Sequence, residues 1–248
     1  MNKIAIITLN GYFNYGNRLQ NYALQESLKI LDNGVDSILI KNESIKKVKY
    51  RMGYRIKNNL YSSPSKIMRK IKNKIELKLN NKSFSESNTK RTEIFKEFTN
   101  NYINETKYGV SNNNILGNLS DRYDYFVTGS DQVWNPSYNN GSSIYFLTFA
   151  PKEKRIAYAP SFGVSEIKPE FIDNYKEWIS GMSKLSVRED DGAKIIKELT
   201  GREAPVLVDP TLLLTKEKWL SIAKEAGNKP KGKYLLTYFL GGIPREYK

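Results

Sequence analysis

The first 42 residues constrain the fold most. An apolar run, Ile4-Ala5-Ile6-Ile7-Thr8-Leu9, leads into two glycines five apart, Gly11 and Gly16. A helical repeat of Leu24, Leu28 and Leu31 follows, with Leu19 and Ala23 alongside, and then a second apolar run, "GVDSILIKN". Strand, glycine turn, helix, strand is a unit whose strands lie parallel, because the helix carries the chain back to the starting edge. The first run is too short to span a membrane and is not a signal peptide. Beyond the strand, the helix start aims free backbone N–H groups and a positive dipole end at whatever sits there. The turn therefore reads either as an anion site or as a place where glycine supplies unusual dihedrals. A P-loop requires Lys and then Ser or Thr after its second glycine, and here Asn17 and Arg18 follow. A dinucleotide fingerprint requires a third glycine, so ATP and NAD are poor readings.

The alternation continues along the chain. A helix is expected near residues 89 to 104, strands at "YDYFVTG" and "KRIAYAP", and a helix from Pro169 to Ser180. A short strand "KLSVR", a helix "EDDGAKIIKELTG" and a strand "APVLVDP" complete the series. Strands separated by helices, without hairpin signals, indicate an α/β fold with a mainly parallel sheet and helices on both faces. Ligands in such sheets sit outside the carboxyl ends of the strands. Three strand ends stand out. "YDYFVTGSDQVWNP" leaves its strand at Gly129 and presents Ser130, Asp131 and Gln132, with Asp131 either a helix cap or a site residue. "KLSVRED" sets Ser186 and Arg188 on one face beside a helix start. There a guanidinium fork matches a carboxylate or phosphate, unless it is held by Glu189 or Asp190. "VDPTLLL" ends on Asp209 and Pro210, as helix-start chemistry or as an edge of the crevice.

The chain has no histidine and no cysteine. Absence of both removes the thiolate nucleophile, the commonest general base and the commonest metal ligand, and it suits a reducing cytoplasm. With no metal-binding spacing either, no metal site is expected. Of the net charge of +14, residues 41–82 supply twelve, with fourteen basic and two acidic side chains. Their second half places Ile67, Ile71, Ile75 and Leu79 four apart among lysines, a basic amphipathic helix. It is read as a surface insertion with solvated lysines, or as a segment drawn to an anionic membrane or an acidic polymer; nucleic acid ranks behind these. Residues 228–242 read as a Pro/Gly/Lys linker and a fresh strand from Tyr234 to Leu240. The expected organisation is thus a first domain over 1–230 and, over 231–248, the opening of a second α/β domain that stops soon after.

With these residues set out, the sequence resembles the polysaccharide pyruvyl transferase family. The matching motifs are "YGNRLQNYAL" (15–24), "VTGSDQVWNP" (127–136), "RIAYAPSFG" (155–163), "SVREDDGAKIIKELTG" (186–201) and "VLVDPTLLL" (206–214), in the family's order. The resemblance implies a Rossmann-like domain that forms the first half of a GT-B-like, two-domain architecture. It implies transfer of the pyruvyl group of phosphoenolpyruvate to two sugar hydroxyls as a ketal, with phosphoenolpyruvate as co-substrate and no other cofactor. The acceptor would be a saccharide or lipid-linked glycan of a cell-surface polysaccharide precursor, met in the cytoplasm or at the inner membrane face. It implies Arg188 as donor clamp and Asp131 as the group that orients or deprotonates an acceptor hydroxyl. Ser130, Gln132, Ser186, Gly16 and Asn17 are the expected substrate contacts. Family members generally carry a functional histidine in the second domain, so this chain alone is expected to be inactive. A GT-B glycosyltransferase and a non-enzymatic polyanion-binding module are the alternatives.

Overall fold

The computed structural model describes residues 2–12, 14–31, 34–41, 81–137, 142–225, 227 and 229–237, with side chains from residue 89 onward in the helix that begins at Asn81. The helical elements are α1 (Tyr15–Leu31), α2 (Asn81–Tyr102), α3 (Ile172–Ser180), α4 (Asp190–Thr200) and α5 (Lys216–Ile222). The strands are β1 (Lys3–Ile7), β2 (Gly34–Ile40), β3 (Glu105–Val110), β4 (Tyr125–Thr128) and β5 (Arg155–Ala157). Every pairing is parallel, and the five strands lie in the order β3-β2-β1-β4-β5. This is a Rossmann-like α/β sheet. The basic helix expected around Ile67 to Leu79 lies outside the described residues.

Successive residues of β1 serve opposite faces, because side chains alternate along a strand. Ala5 and Ile7 join a large core with Ile38, Phe126, Tyr175, Ile179, Ile195 and Ile196, beneath α3 and α4. Ile4 and Ile6 join a smaller core with Leu24, Val35 and Val127, beneath α1. Both faces are covered, which is why the β1 run is continuously apolar. In the larger core Trp134 stacks on Phe146 at 4.9 Å, and the Tyr175 hydroxyl donates to the Trp134 carbonyl at 2.9 Å. These contacts anchor the turn after β4 from below.

The structure corrects four local expectations. The strand β3 has no counterpart in the sequence reading; its residues Glu105-Thr-Lys-Tyr-Gly-Val include only Tyr108 and Val110 as apolar signals. "KLSVR" and "APVLVDP" are not regular strands but contribute isolated parallel bridges, Ile156 to Lys184 and Val187 to Val206. The ladder stops because Ala159 turns into positive φ (45°) and gives its N–H to the Ser186 hydroxyl instead of a strand carbonyl. Residues 129–137, directly after β4, form turns and not a helix, so Asp131 is not a helix cap. Finally, α1 already includes Gly16, so this glycine sits in a helical first turn.

The chain divides into two compact units, Met1–Leu214 and Thr215–Lys248. In the second, Thr215 caps α5 by accepting from the Lys218 N–H at 3.3 Å. Tyr234 to Thr237 form no regular strand, and residues 238–248 lie outside the described residues.

Candidate functional site

The strand order reverses between β1 and β4. The chain leaves β1 through α1 toward β2 on one side, whereas β4 leads to β5 on the other. The ends of β1 and β4 thus border the crevice where such sheets bind ligands. Two polar clusters meet there, one turned inward and one open to solvent.

The inward cluster belongs to the "YGNRLQNYALQ" stretch. Asn17, Arg18, Gln20, Asn21 and Gln25 are all buried although polar, and burial at that density requires hydrogen-bond partners. Gln20 Nε2 donates to Thr8 Oγ1 at 2.7 Å, and its Oε1 accepts from the Ser130 N–H at 3.0 Å. Asn21 donates to Ser37 Oγ at 2.9 Å, and Gln25 exchanges hydrogen bonds with Tyr102 and Asn104. Arg18 is 1% exposed; it donates to the Leu9 carbonyl at 3.1 Å and pairs with Glu105 at 3.3 Å. Burial pulls the Arg18 guanidinium below its ordinary pKa, and the Glu105 carboxylate opposes that shift. The Tyr12 hydroxyl donates to the other Glu105 oxygen at 3.1 Å. Leu19 and Leu31 of the expected apolar stripe are exposed instead.

The open cluster surrounds Arg188. Its Nη1 donates to Asp209 at 3.1 Å and its Nε to Glu189 at 3.1 Å, and Asp131 lies 4.0 Å away. Asp190 is not among these partners. Three carboxylates thus face one guanidinium, whose Nη2 has no protein partner among the described residues. Asp209 uses its second oxygen to hold the following turn, accepting from the N–H and hydroxyl of Thr211 at 3.0 and 2.8 Å. Above it the Tyr158 hydroxyl donates to the Val208 carbonyl at 3.2 Å. Burial, and then the Asp209 charge, push the Tyr158 phenol above its usual pKa.

Asp131 stands in the left-handed region at φ 66°. That conformation suits Asp and Asn better than most residues. One of its oxygens accepts from the Gln132 N–H at 2.8 Å, which leaves Oδ2 without a protein partner among the described residues. Gly129 precedes it at φ 115°, and a Cβ there would run into the Tyr158 carbonyl. The Gly129–Ser130 peptide is cis.

Among the residues singled out from sequence, Asp131 and Arg188 come together. Ser130 and Ser186 lie beside them but point inward. Ser130 Oγ donates to the Ala159 carbonyl at 2.6 Å, and Ser186 Oγ donates to the Ala157 carbonyl at 2.8 Å. The Gln132 amide is turned toward Asn135, whose Nδ2 donates to it at 2.9 Å. Gly16 and Asn17 belong to the start of α1, where the Asn17 N–H donates to the Asn14 side chain at 3.3 Å. The sequence reading did not single out Gln20, Tyr158 or the Arg18–Glu105 pair. A signal was present for the first: a run of amides on a helix in place of apolar residues.

Among the described residues, no group of three or more His, Cys, Asp or Glu is placed to hold a metal ion, and no helix is long and apolar enough to cross a membrane. A family model described as polysaccharide pyruvyl transferase matches residues 14–247. No curated protein and no solved structure matches the chain.

Proposed function

The chain belongs to the polysaccharide pyruvyl transferase family, and from that premise we propose that it moves the pyruvyl group of phosphoenolpyruvate onto two hydroxyls of a saccharide. The observation that carries the site assignment is the open Arg188 cluster beside Asp131 at the carboxyl ends of the strands. There the two part-exposed side chains approach to 4.0 Å, each with one polar atom that has no protein partner among the described residues.

The reaction sets the requirements. A proton adds to the methylene carbon of phosphoenolpyruvate, making it a methyl group, and positive charge develops on the neighbouring carbon. One acceptor hydroxyl bonds to that carbon and gives up its proton. The second hydroxyl then displaces phosphate, which leaves with the remaining proton. Cations must hold the donor's carboxylate and phosphate, and a carboxylate near the acceptor must take a hydroxyl proton. Arg188 has the fork for the first task through Nη2. Asp131 has the free oxygen for the second. Asp209 and Glu189 keep the guanidinium plane fixed and outweigh its single positive charge, so Nη2 grips the donor through directional hydrogen bonds.

The test is incubation of the full-length protein with phosphoenolpyruvate and a panel of saccharides. Phosphate release together with a new ketal methyl resonance on the sugar is the expected result. Thermal stabilisation by sugar nucleotides, with none by phosphoenolpyruvate, would overturn the reading in favour of a glycosyltransferase.

The acceptor is proposed to be a glycan precursor presented at an anionic membrane face, with residues 41–82 as the attracting segment. The charge balance of that segment supports this.

A further inference from the structure

The inward cluster is not simply the underside of a helix, because its hydrogen bonds converge on the backbone of one residue. The N–H of Ser130 donates to Gln20 Oε1 at 3.0 Å. Its carbonyl accepts from Thr8 Oγ1 at 3.3 Å, and that hydroxyl in turn accepts from Gln20 Nε2 at 2.7 Å. A ring of three side-chain hydrogen bonds therefore holds both polar groups of the Ser130 backbone, from α1 on one side and the end of β1 on the other. Gln20 is 2% exposed and Ser130 is fully buried, so water does not substitute for these partners. The Gln20 amide is further fixed by the Asn17 carbonyl, to which Nε2 donates at 3.2 Å.

Ser130 passes the constraint onward. Its hydroxyl donates to the Ala159 carbonyl at 2.6 Å. The Ala159 N–H donates to Ser186 Oγ at 2.9 Å, and Ser186 leads by two residues to Arg188. A second link runs from the Asp131 carbonyl, which accepts from the Ser161 N–H at 2.8 Å, while the Arg188 N–H donates to the Pro160 carbonyl at 3.2 Å. Both partners of the Asp131–Arg188 pair are thus positioned through backbone that α1 grips by a single amide. Thr8, Gln20, Ser130 and Ser186 are polar and buried for the same reason: each occupies a node of this chain.

We propose that Gln20 is a positioning residue, its amide clamping the Ser130 peptide and thereby setting where Asp131 meets Arg188. This rests on the reading of Asp131 and Arg188 as the reacting site. A carboxylate displaced by about 1 Å from a reacting hydroxyl loses on the order of 100-fold in rate, so the clamp acts on turnover without touching substrate.

Gln20→Met keeps the shape and removes all three hydrogen bonds, whereas Gln20→Glu keeps an acceptor for the Ser130 N–H. Two readouts are needed. The first is amide hydrogen exchange of the segment around residues 129–132, in the protein without substrate. Gln20→Met should speed exchange there about tenfold, the scale of one lost buried hydrogen bond, with β2 unchanged. The second is steady-state kinetics, where kcat should fall about 10- to 100-fold with the KM for phosphoenolpyruvate within about threefold. Gln20→Glu should recover most of kcat.

Faster exchange spread evenly over the sheet, or normal kcat in Gln20→Met, would overturn the proposal. Should Gln20→Met not fold, Thr8→Val cuts two of the ring's three bonds and leaves the Ser130 N–H on Gln20. Selective loosening at 129–132 supports the clamp, and unchanged or uniform exchange overturns it. Asp131→Asn separates the two levels. Its normal turnover would overturn the site reading, while the exchange measurement would still decide whether Gln20 holds the turn.

Discussion

The stretches "YGNRLQNYALQ" and "SVREDDGAKI" both carry an arginine, and both begin a helix at the carboxyl side of the sheet. Their arginines have opposite fates. Arg18 is buried, with one carboxylate partner and one carbonyl partner, and its remaining Nε has no partner. Arg188 is about a quarter exposed and faces three carboxylates with one edge open. A guanidinium whose donors are turned into the protein stabilises an arrangement, whereas one with a free edge toward solvent can receive a ligand. Motif membership does not separate these roles; the direction of the polar groups does.

The comparison is most exposed to failure at Arg18. Replacing it with Met should leave the largely buried Glu105 with only Tyr12 as side-chain partner and cost about 3 kcal/mol of stability, the low end for breaking a buried pair. Urea denaturation measures this. Adding Glu105→Gln should restore part of the loss, because the uncompensated charge disappears. A small loss in Arg18→Met, or no recovery in the double variant, would show that the inward cluster is not held by this pair.

At Arg188 the expected effect moves from stability to kinetics. Arg188→Ala should lower kcat/KM by about 30- to 1,000-fold, the equivalent of roughly 2–4 kcal/mol, with the melting temperature nearly unchanged. The lysine variant should be almost as damaging, since a point charge cannot reach Asp209, Glu189 and a ligand oxygen together. Lysine tolerated, with a lowered melting temperature in the alanine variant, would place Arg188 in the same class as Arg18.

Asp131→Asn sharpens the contrast within one turn. Asparagine accepts positive φ nearly as well as aspartate, and its amide oxygen can still accept from the Gln132 N–H. The substitution removes charge and little else. Turnover should fall about 10- to 100-fold while stability stays within roughly 0.5 kcal/mol, as read by kcat and thermal unfolding. Equal turnover would leave Asp131 as only the weakest of Arg188's three partners.

Where packing follows periodicity, the sequence was legible. The β1–α1–β2 unit, β4, β5, α3 and α4 stand where apolar spacing placed them, and parallel pairing follows from the absence of hairpin turns. Legibility failed where side chains replace backbone partners. "KLSVR" reads as a strand, but the Ser186 hydroxyl takes the Ala159 N–H and ends the ladder. The stripe Leu19, Leu24, Leu28 and Leu31 reads as the buried face of α1. Leu24 is buried as expected, but Leu19 and Leu31 are exposed, and the neighbours Gln20, Asn21 and Gln25 are buried and bonded to partners distant in sequence that no local window contains. The Asp131–Arg188 approach spans 57 positions and depends on the turn after β4 meeting two bridged segments that are not regular strands. Sequence spacing could nominate each residue but not bring them together.

The glycine at the start of α1 gives the mildest perturbation and a clean division between the two roles. Gly16 has helical backbone, so a side chain meets no dihedral penalty there, and alanine in a helix is favoured over glycine by roughly 0.5–1 kcal/mol. Against this, the added Cβ would lie 3.2 Å from Asn14 Oδ1, the atom that accepts the Asn17 N–H. Asn14 is exposed, and its side chain can retreat by a few tenths of an ångström, weakening a cap worth about 1 kcal/mol. The two effects nearly cancel, so Gly16→Ala should change stability by less than about 0.5 kcal/mol. Kinetics then decides what the glycine is for. If the open edge of the crevice reaches the first turn of α1, a methyl group there intrudes on the ligand, and KM for donor or acceptor rises several-fold at unchanged melting temperature. If the turn belongs wholly to the inward cluster, KM and kcat both stay at their original values, and the boundary between structural and reacting polar groups falls between α1 and the Ser130 peptide that Gln20 holds.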